Sequence, residues 1–208
     1  MKAFAIVALT LLAYWPSLRG PFLWDDGAYI TRNRLVTQPG GLTRIWASTE
    51  PADYYPITFT VFRGQWIAWG ANPLGYRCVN LLLHVFNALL LWKILSQLKI
   101  PDAWLAGLLF ALHPVNVATV AWITELKNLL AFGFAGLTVL AWLRFDETRR
   151  GLWLVIVLFI LALLSKSAVA PLPVVLIALT WWRRNRWNFI ASIPLFVTAL
   201  AFGLITIW

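Results

Sequence analysis

The chain is 208 residues long, 61% hydrophobic and 12% charged, with a net charge of +9 and a mean hydropathy of +0.76. These values exclude an ordinary soluble domain. They also make a nucleic-acid partner a poor account of the basic excess, because in a membrane protein the placement of charges matters more than their sum. Fourteen Trp and thirteen Phe suit headgroup depth and lipid-facing surfaces. The single cysteine, Cys78, lies in an apolar run, reads as packing and allows no internal disulfide.

A helix crossing about 30 Å of hydrocarbon needs about 20 mostly apolar residues. The first run, 2–17, follows a basic Lys2 but carries Tyr14-Trp15-Pro16 where a signal peptide would carry small residues, so it reads as a retained helix. The stretch LRGPFLWDDGAYITRN, residues 18–33, leads into the long segment 19–73 and sets Asp25 and Asp26 between bulky apolar residues. Asp is favoured at loop starts and helix caps, which is one account of the pair. The other is acid–base chemistry, since two neighbouring carboxylates repel and one is thereby suited to taking up a proton. Adjacent side chains usually point apart, so one of the two is expected to face a site. Further along, YYPITFTVFRGQWIAW, residues 54–69, mixes aromatics with Arg63 and Gln65, a composition for a helix lying in the interface.

Apolar runs follow at 74–98, 103–120, 128–145, 151–168 and 171–182, and a seventh run occupies 189–208 without a polar flank, from which the chain is expected to be the front part of a longer protein. Asn80, His84 and Asn87 recur at helical spacing on one face and are expected to hydrogen-bond between helices. His113-Pro114 follows AGLLFAL and ends a span; that His is either a hydrogen-bonded structural residue or a substrate-site candidate. Two histidines without zinc-site spacing support no metal site. Glu125, Lys127 and Asn128 in AWITELKNLLAF fit either a hydrated helix start or part of a site. Lys166 interrupts LLSKSAVAPLP. It either snorkels to the headgroups or grips a lipid phosphate, a task that Arg63 could share with a bidentate grip.

With Lys2 taken as cytoplasmic, Lys93, Lys99, Arg144, Arg149, Arg150, Arg183, Arg184 and Arg186 all fall on one face, the positive-inside pattern. The same alternation puts Asp25, Asp26, His113, Glu125, Lys127 and Lys166 on the outer face. The expected fold is all-α: a polytopic membrane helix bundle of about seven transmembrane helices, with a long first extracytoplasmic loop (19–73) carrying an interfacial helix. Short loops and Arg-rich inner flanks suggest a bacterial inner membrane, while an endoplasmic-reticulum protein would show the same sidedness.

The order FLWDD, YYPIT followed by Arg63, NLLLHVFNALLL, LLFALHPVNVATVAWI and LLSKSAVAPLP resembles the amino-terminal membrane module of the GT-C glycosyltransferases. The likeness is greatest to the transmembrane and tetratricopeptide-repeat mannosyltransferases and their bacterial relatives, and more distant to protein O-mannosyltransferases. It covers nearly all of 1–208. The resemblance implies a multi-pass membrane glycosyltransferase moving a sugar, with mannose the nearest family association, from a polyprenyl-phosphate-linked donor at the extracytoplasmic face. It implies a first-loop carboxylate at the catalytic centre, with Asp25 as general base and Asp26 its neighbour. The acceptor would be a hydroxyl of a protein, a glycan or a lipid, and direct displacement would invert the anomeric centre. Fixed cations such as Arg63 or Lys166 would stabilise the leaving phosphate, with His113, Glu125 and Lys127 as further substrate-site candidates. No cofactor is implied, and a divalent ion is left open.

Two departures stand out. Where relatives often read Lys-Glu, this chain reads Lys166-Ser167, so that carboxylate's role is absent or moved to Glu125; and the 208 residues include no tetratricopeptide repeat, so the chain is expected either to be incomplete or to belong to a repeat-free branch. Two other readings remain: a non-catalytic scaffold or polyprenyl-lipid-binding subunit, and a transporter, which would gather its ionisable groups near the bilayer midplane. The discriminating feature is whether Asp25 or Asp26 faces a cavity shared with Arg63, Lys166 or Glu125.

Overall fold

The computed structural model describes residues 1–50 and 53–207. Among these residues the chain is all-helical, without a strand. Helix α1 (Lys2–Tyr14) runs into a 3₁₀ turn (Trp15–Arg19) and then the stretch holding Asp25 and Asp26. A π-helical turn (Gly27–Thr31) precedes three helices of the long segment 19–73, α2 (Arg34–Thr37), α3 (Gly41–Ala47) and α4 (Pro56–Trp69). The remainder is α5 (Pro73–Gln97), α6 (Ala103–Leu112), α7 (Asn116–Ala121), α8 (Leu126–Thr148), α9 (Leu152–Ser165), α10 (Leu172–Arg184) and α11 (Phe189–Ile207).

Each apolar run is helical, but the third is broken. The residue before a proline is pushed out of the α region, and His113, preceding Pro114, has φ −66 and ψ 130. The run expected as one helix over 103–120 is therefore α6 and α7. The all-α bundle is borne out. Two stretches, Pro73–Gln97 and Ile123–Thr148, are long and apolar enough to cross a membrane, while Ala103–Leu112 and Leu152–Ser165 are apolar but shorter. Among the described residues helix length alone thus supports two crossings.

Short turns fold consecutive helices back on each other. The α8–α9 hairpin closes through Arg149 (φ 57) and Gly151 (φ 84), and α8 also packs on α5, which in turn carries α1 and α6. Polar groups inside this apolar assembly bridge helices, as the spacing predicted. Asn80 Nδ2 donates to the Trp122 carbonyl (3.1 Å), His84 Nε2 to Ala111 (2.9 Å) and Asn87 Nδ2 to Leu129 (2.9 Å). Each satisfies a buried group that would otherwise be left without a partner in a medium lacking water.

The segment 19–73 is packed onto the bundle. Ile30, Leu35, Val36, Ile45, Phe59 and Phe62 form one buried cluster with Tyr76 of α5 and with Ile123 and Leu126 at the start of α8. The expected interfacial helix is α4; its Thr58 hydroxyl donates to the Ser165 carbonyl at 2.9 Å, tying it to the end of α9 beside Lys166. The basic clusters gather at the other end of the bundle, where Arg183 meets Glu147 (2.9 Å) and Arg184 and Arg186 meet Asp146 (2.6 and 3.0 Å). The 23 residues of α8 separate the two ends by about 34 Å at 1.5 Å per residue.

Candidate active site

The loop with the two carboxylates is shaped by a buried cation. Arg77 of α5, 2% exposed, donates Nη1 to the carbonyls of Ser17 (2.8 Å) and Ala121 (2.6 Å) and Nη2 to that of Pro21. The guanidinium so pins the end of α1, the loop entry and the end of α7 to one point. It leaves no room for a side chain at Gly20, where a Cβ would lie 2.8 Å from Arg77 Nη2. The charge of Asp26 acts on the same guanidinium.

Asp26 is wholly enclosed. Its Oδ2 accepts from the Leu23 N–H (2.8 Å), and its Oδ1 accepts from the Thr124 N–H (2.9 Å). Thr124 Oγ1 lies 2.7 Å from Asp26 Oδ1 and 2.7 Å from Asp25 Oδ1. The expectation that adjacent carboxylates point apart fails here. The two residues sit in a turn leading into the π-helical segment, with Asp26 at φ −51 and ψ −35, and in such a turn successive side chains do not alternate as they do in an extended strand. Asp25, half-buried, and Asp26 converge on one hydroxyl.

That hydroxyl has a single hydrogen. It can donate to one carboxylate at a time, and Asp26 also accepts from the Leu23 and Thr124 N–H groups.

A second set of polar contacts begins at the next residue. Asn128 Nδ2 donates to Glu125 Oε2, and Lys166 Nζ donates to Asn128 Oδ1 at 2.6 Å. On the other side of Glu125, Lys127 Nζ approaches Oε1 at 3.9 Å and lies 4.8 Å from the centre of the Tyr29 ring. The Tyr29 hydroxyl donates to Asp53 Oδ2 at 2.6 Å. Burial, and then the hydrogen bond and charge of Asp53, raise the pKa of this phenol above its ordinary value.

Asp25 and Asp26 thus meet at Thr124, while Glu125, Lys127, Asn128 and Lys166 form a polar cluster that begins at the next residue. Two sequence candidates have other tasks. Arg63 donates Nη1 to the carbonyls of Leu35 (3.2 Å), Val36 (3.1 Å) and Gln38 (2.6 Å), closing the end of α2. A donor matched to the last carbonyls of a helix holds that turn in place, so the structure assigns Arg63 to the loop and not to the polar chain of Lys166. His113 is exposed, and its Nδ1 accepts from the Val115 N–H (3.2 Å), a local cap of the turn between α6 and α7.

A cavity of about 330 Å³ opens beside the cluster. Lys166 and Asn128 stand at its polar side, His84 and Asn87 line a wall, and Phe110 and Phe132 supply apolar surface, their rings stacked at 5.1 Å. Neither Asp25 nor Asp26 lines it. Among the described residues no three His, Cys, Asp or Glu side chains gather in a metal-holding set.

Thr124 and Arg77 were not singled out from the sequence. Arg77 carried a usable signal, a cation inside the apolar helix GYRCVNLLL. Thr124 carried none beyond standing next to Glu125.

No family model matches the chain, and no solved structure matches it. Curated relatives do. A protein O-mannosyl-transferase of Caenorhabditis elegans is 29% identical over 92% of this chain and 30% of its own length. The protein O-mannosyl-transferase Tmtc1 of Drosophila melanogaster is 30% identical over 77% of this chain and 20% of its own length. The protein O-mannosyl-transferase TMTC1 of Mus musculus is 32% identical over 61% of this chain and 15% of its own length. The chain therefore spans between 15% and 30% of the length of these three relatives. They bear out the resemblance to the transmembrane and tetratricopeptide-repeat mannosyltransferases.

Proposed function

From the kinship of this chain with the protein O-mannosyl-transferases we propose that it forms the membrane part of a glycosyltransferase. It moves a sugar, with mannose favoured by the names of its relatives, from a polyprenyl-phosphate-linked donor to a hydroxyl of a protein acceptor. The seven apolar runs cross the membrane, and the acidic and basic cluster around Thr124 faces the extracytoplasmic side. The observation that carries this reading is the convergence of Asp25 and Asp26 on Thr124 Oγ1, each at 2.7 Å, at the end of the bundle where Lys166 is also held.

In the reaction the acceptor oxygen attacks the anomeric carbon as the carbon–oxygen bond to the donor phosphate breaks. The acceptor proton passes to Asp25, and the configuration inverts. Asp25 must be ionised to receive it. Once protonated, Asp25 can donate to Thr124 Oγ1 while that hydroxyl donates to Asp26, so the proton is accommodated without moving a heavy atom. Asp26, locked by the N–H groups of Leu23 and Thr124, orients Thr124 and is a positioning residue. The departing polyprenyl phosphate gains negative charge, which Lys166 is placed to stabilise, with Asn128 setting its direction. The cavity of about 330 Å³ takes the first part of the donor's apolar tail.

The test is sugar transfer from a set of radiolabelled polyprenyl-phosphate sugars by membranes carrying the protein, beside equally expressed Asp25→Asn and Asp26→Asn variants. Loss of transfer in Asp25→Asn supports the reading; full activity in both variants overturns it. One observation favours a second reading, a polyprenyl-lipid-binding subunit without catalysis: the cavity with Lys166 excludes both carboxylates. Donor-lipid binding without transfer from any donor, unaffected by either substitution, would establish that alternative.

A further inference from the structure

We propose that the pocket at the α8–α9 turn binds the phosphate headgroup of an anionic phospholipid. The pocket, of about 540 Å³, is lined by Arg144, Thr148, Arg150, Trp153, Leu154 and Ala141, among others. It lies at the end of α8 remote from Thr124, about 34 Å away by helix rise, so it faces the opposite membrane surface. This site is independent of the transferase reading.

Charge accounting singles the pocket out. The neighbouring carboxylates are already matched: Asp146 by Arg184 (2.6 Å) and Arg186 (3.0 Å), and Glu147 by Arg183 (2.9 Å). Arg149 turns its guanidinium toward the Phe145 ring, 6.0 Å from its centre. Arg144 and Arg150 remain exposed, and no carboxylate is among the described residues lining the pocket. Two uncompensated guanidinium groups flanking one depression suit a phosphate, which each can grip with paired N–H donors.

The turn that sets their spacing is built locally. Thr148 Oγ1 accepts from the Arg150 N–H at 3.2 Å and donates to the Arg144 carbonyl at 2.9 Å. The other lining favours a lipid over a soluble phosphate. Ala141 and Leu154 add apolar surface to the lining, and Trp153, 68% exposed, presents an indole of the kind that settles at headgroup depth. Basic pockets between membrane helices recognise acidic headgroups on this physical ground.

The experiment is native mass spectrometry of the detergent-solubilised protein, titrated separately with phosphatidylglycerol, phosphatidylcholine and inorganic phosphate. The variants are Arg144→Gln/Arg150→Gln and, as a control for charge at the same end, Lys93→Gln/Lys99→Gln. The expected result is a preference for phosphatidylglycerol over phosphatidylcholine of roughly tenfold or more, lost in the arginine variant and kept in the lysine variant. Equal retention of the two lipids by the unaltered protein overturns the proposal, as does a preference surviving in the arginine variant. Saturation by inorganic phosphate at the lipid's concentration overturns the lipid assignment. Should the arginine variant fail to fold, a photoreactive phosphatidylglycerol offered to the unaltered protein decides: attachment to the peptide carrying Trp153 supports the site, and attachment only elsewhere refutes it.

Discussion

At the scale of single residues, chemistry turns on a threonine that a reading of charges passes over. Thr124→Val keeps the shape but removes the hydroxyl shared by Asp25 and Asp26. It should lower kcat by about two orders of magnitude with KM little changed, the size of a lost proton-handling group, while Thr124→Ser retains most activity. Equal losses in the two variants would show that packing, not the hydroxyl, is what matters there. Tyr29 gives a second residue-level expectation. Its phenol is held protonated in the fold by burial and Asp53, whereas an unfolded chain releases that proton near pH 10. The stability it contributes is therefore complete below about pH 10 and declines as pH rises through its raised folded value. Thermal unfolding in detergent across that alkaline range should show a fall that Tyr29→Phe diminishes. Asp25 and Asp26 stood out in the sequence because two adjacent charges in an apolar setting are costly. Thr124 did not, because a hydroxyl is tolerated almost anywhere.

At the scale of elements, helices followed from local pattern and their ends from local breakers. The split between α6 and α7 is caused by Pro114, whose ring excludes the α conformation at His113. Arg63 shows the opposite situation, in which residue type is legible but not its task. A cation in an interfacial helix reads equally well as a phosphate ligand, and only the approach of α4 to the end of α2 commits its Nη1 to three carbonyls. Close packing at the same junction admits no side chain at Gly41, where a Cβ would lie 1.9 Å from the Leu35 carbonyl oxygen. Arg63→Met should therefore loosen the outer segment, seen as faster proteolysis within 19–73, and leave donor-lipid affinity within about twofold, as expected for a group remote from the ligand. Weaker donor binding with unchanged proteolysis would instead make Arg63 a phosphate ligand.

At the scale of the whole molecule, the bundle separates an end carrying Asp25, Thr124 and Lys166 from an end carrying paired and unpaired arginines. The sidedness proposed for it is open to labelling. In a Cys78→Ser background, a cysteine replacing Ser167 should react with an impermeant thiol reagent added outside the membrane, and one replacing Arg150 only after permeabilisation. The reverse pattern would invert the orientation. Hydropathy determined by itself that this chain is built of apolar helices outside the segment 19–73, and the spacing of Asn80, His84 and Asn87 determined which face of α5 meets other helices. Both are local properties, fixed by residues a few positions apart on one helix. Tertiary structure alone decided that Asp26 is enclosed, that Asp25 shares a hydroxyl with it, and that Arg63 is bound to the carbonyls at the end of α2. The physical reason is distance along the chain: Thr124 lies 98 residues from Asp26, and no local pattern encodes a hydrogen bond that forms only when α1, α5 and α8 have packed.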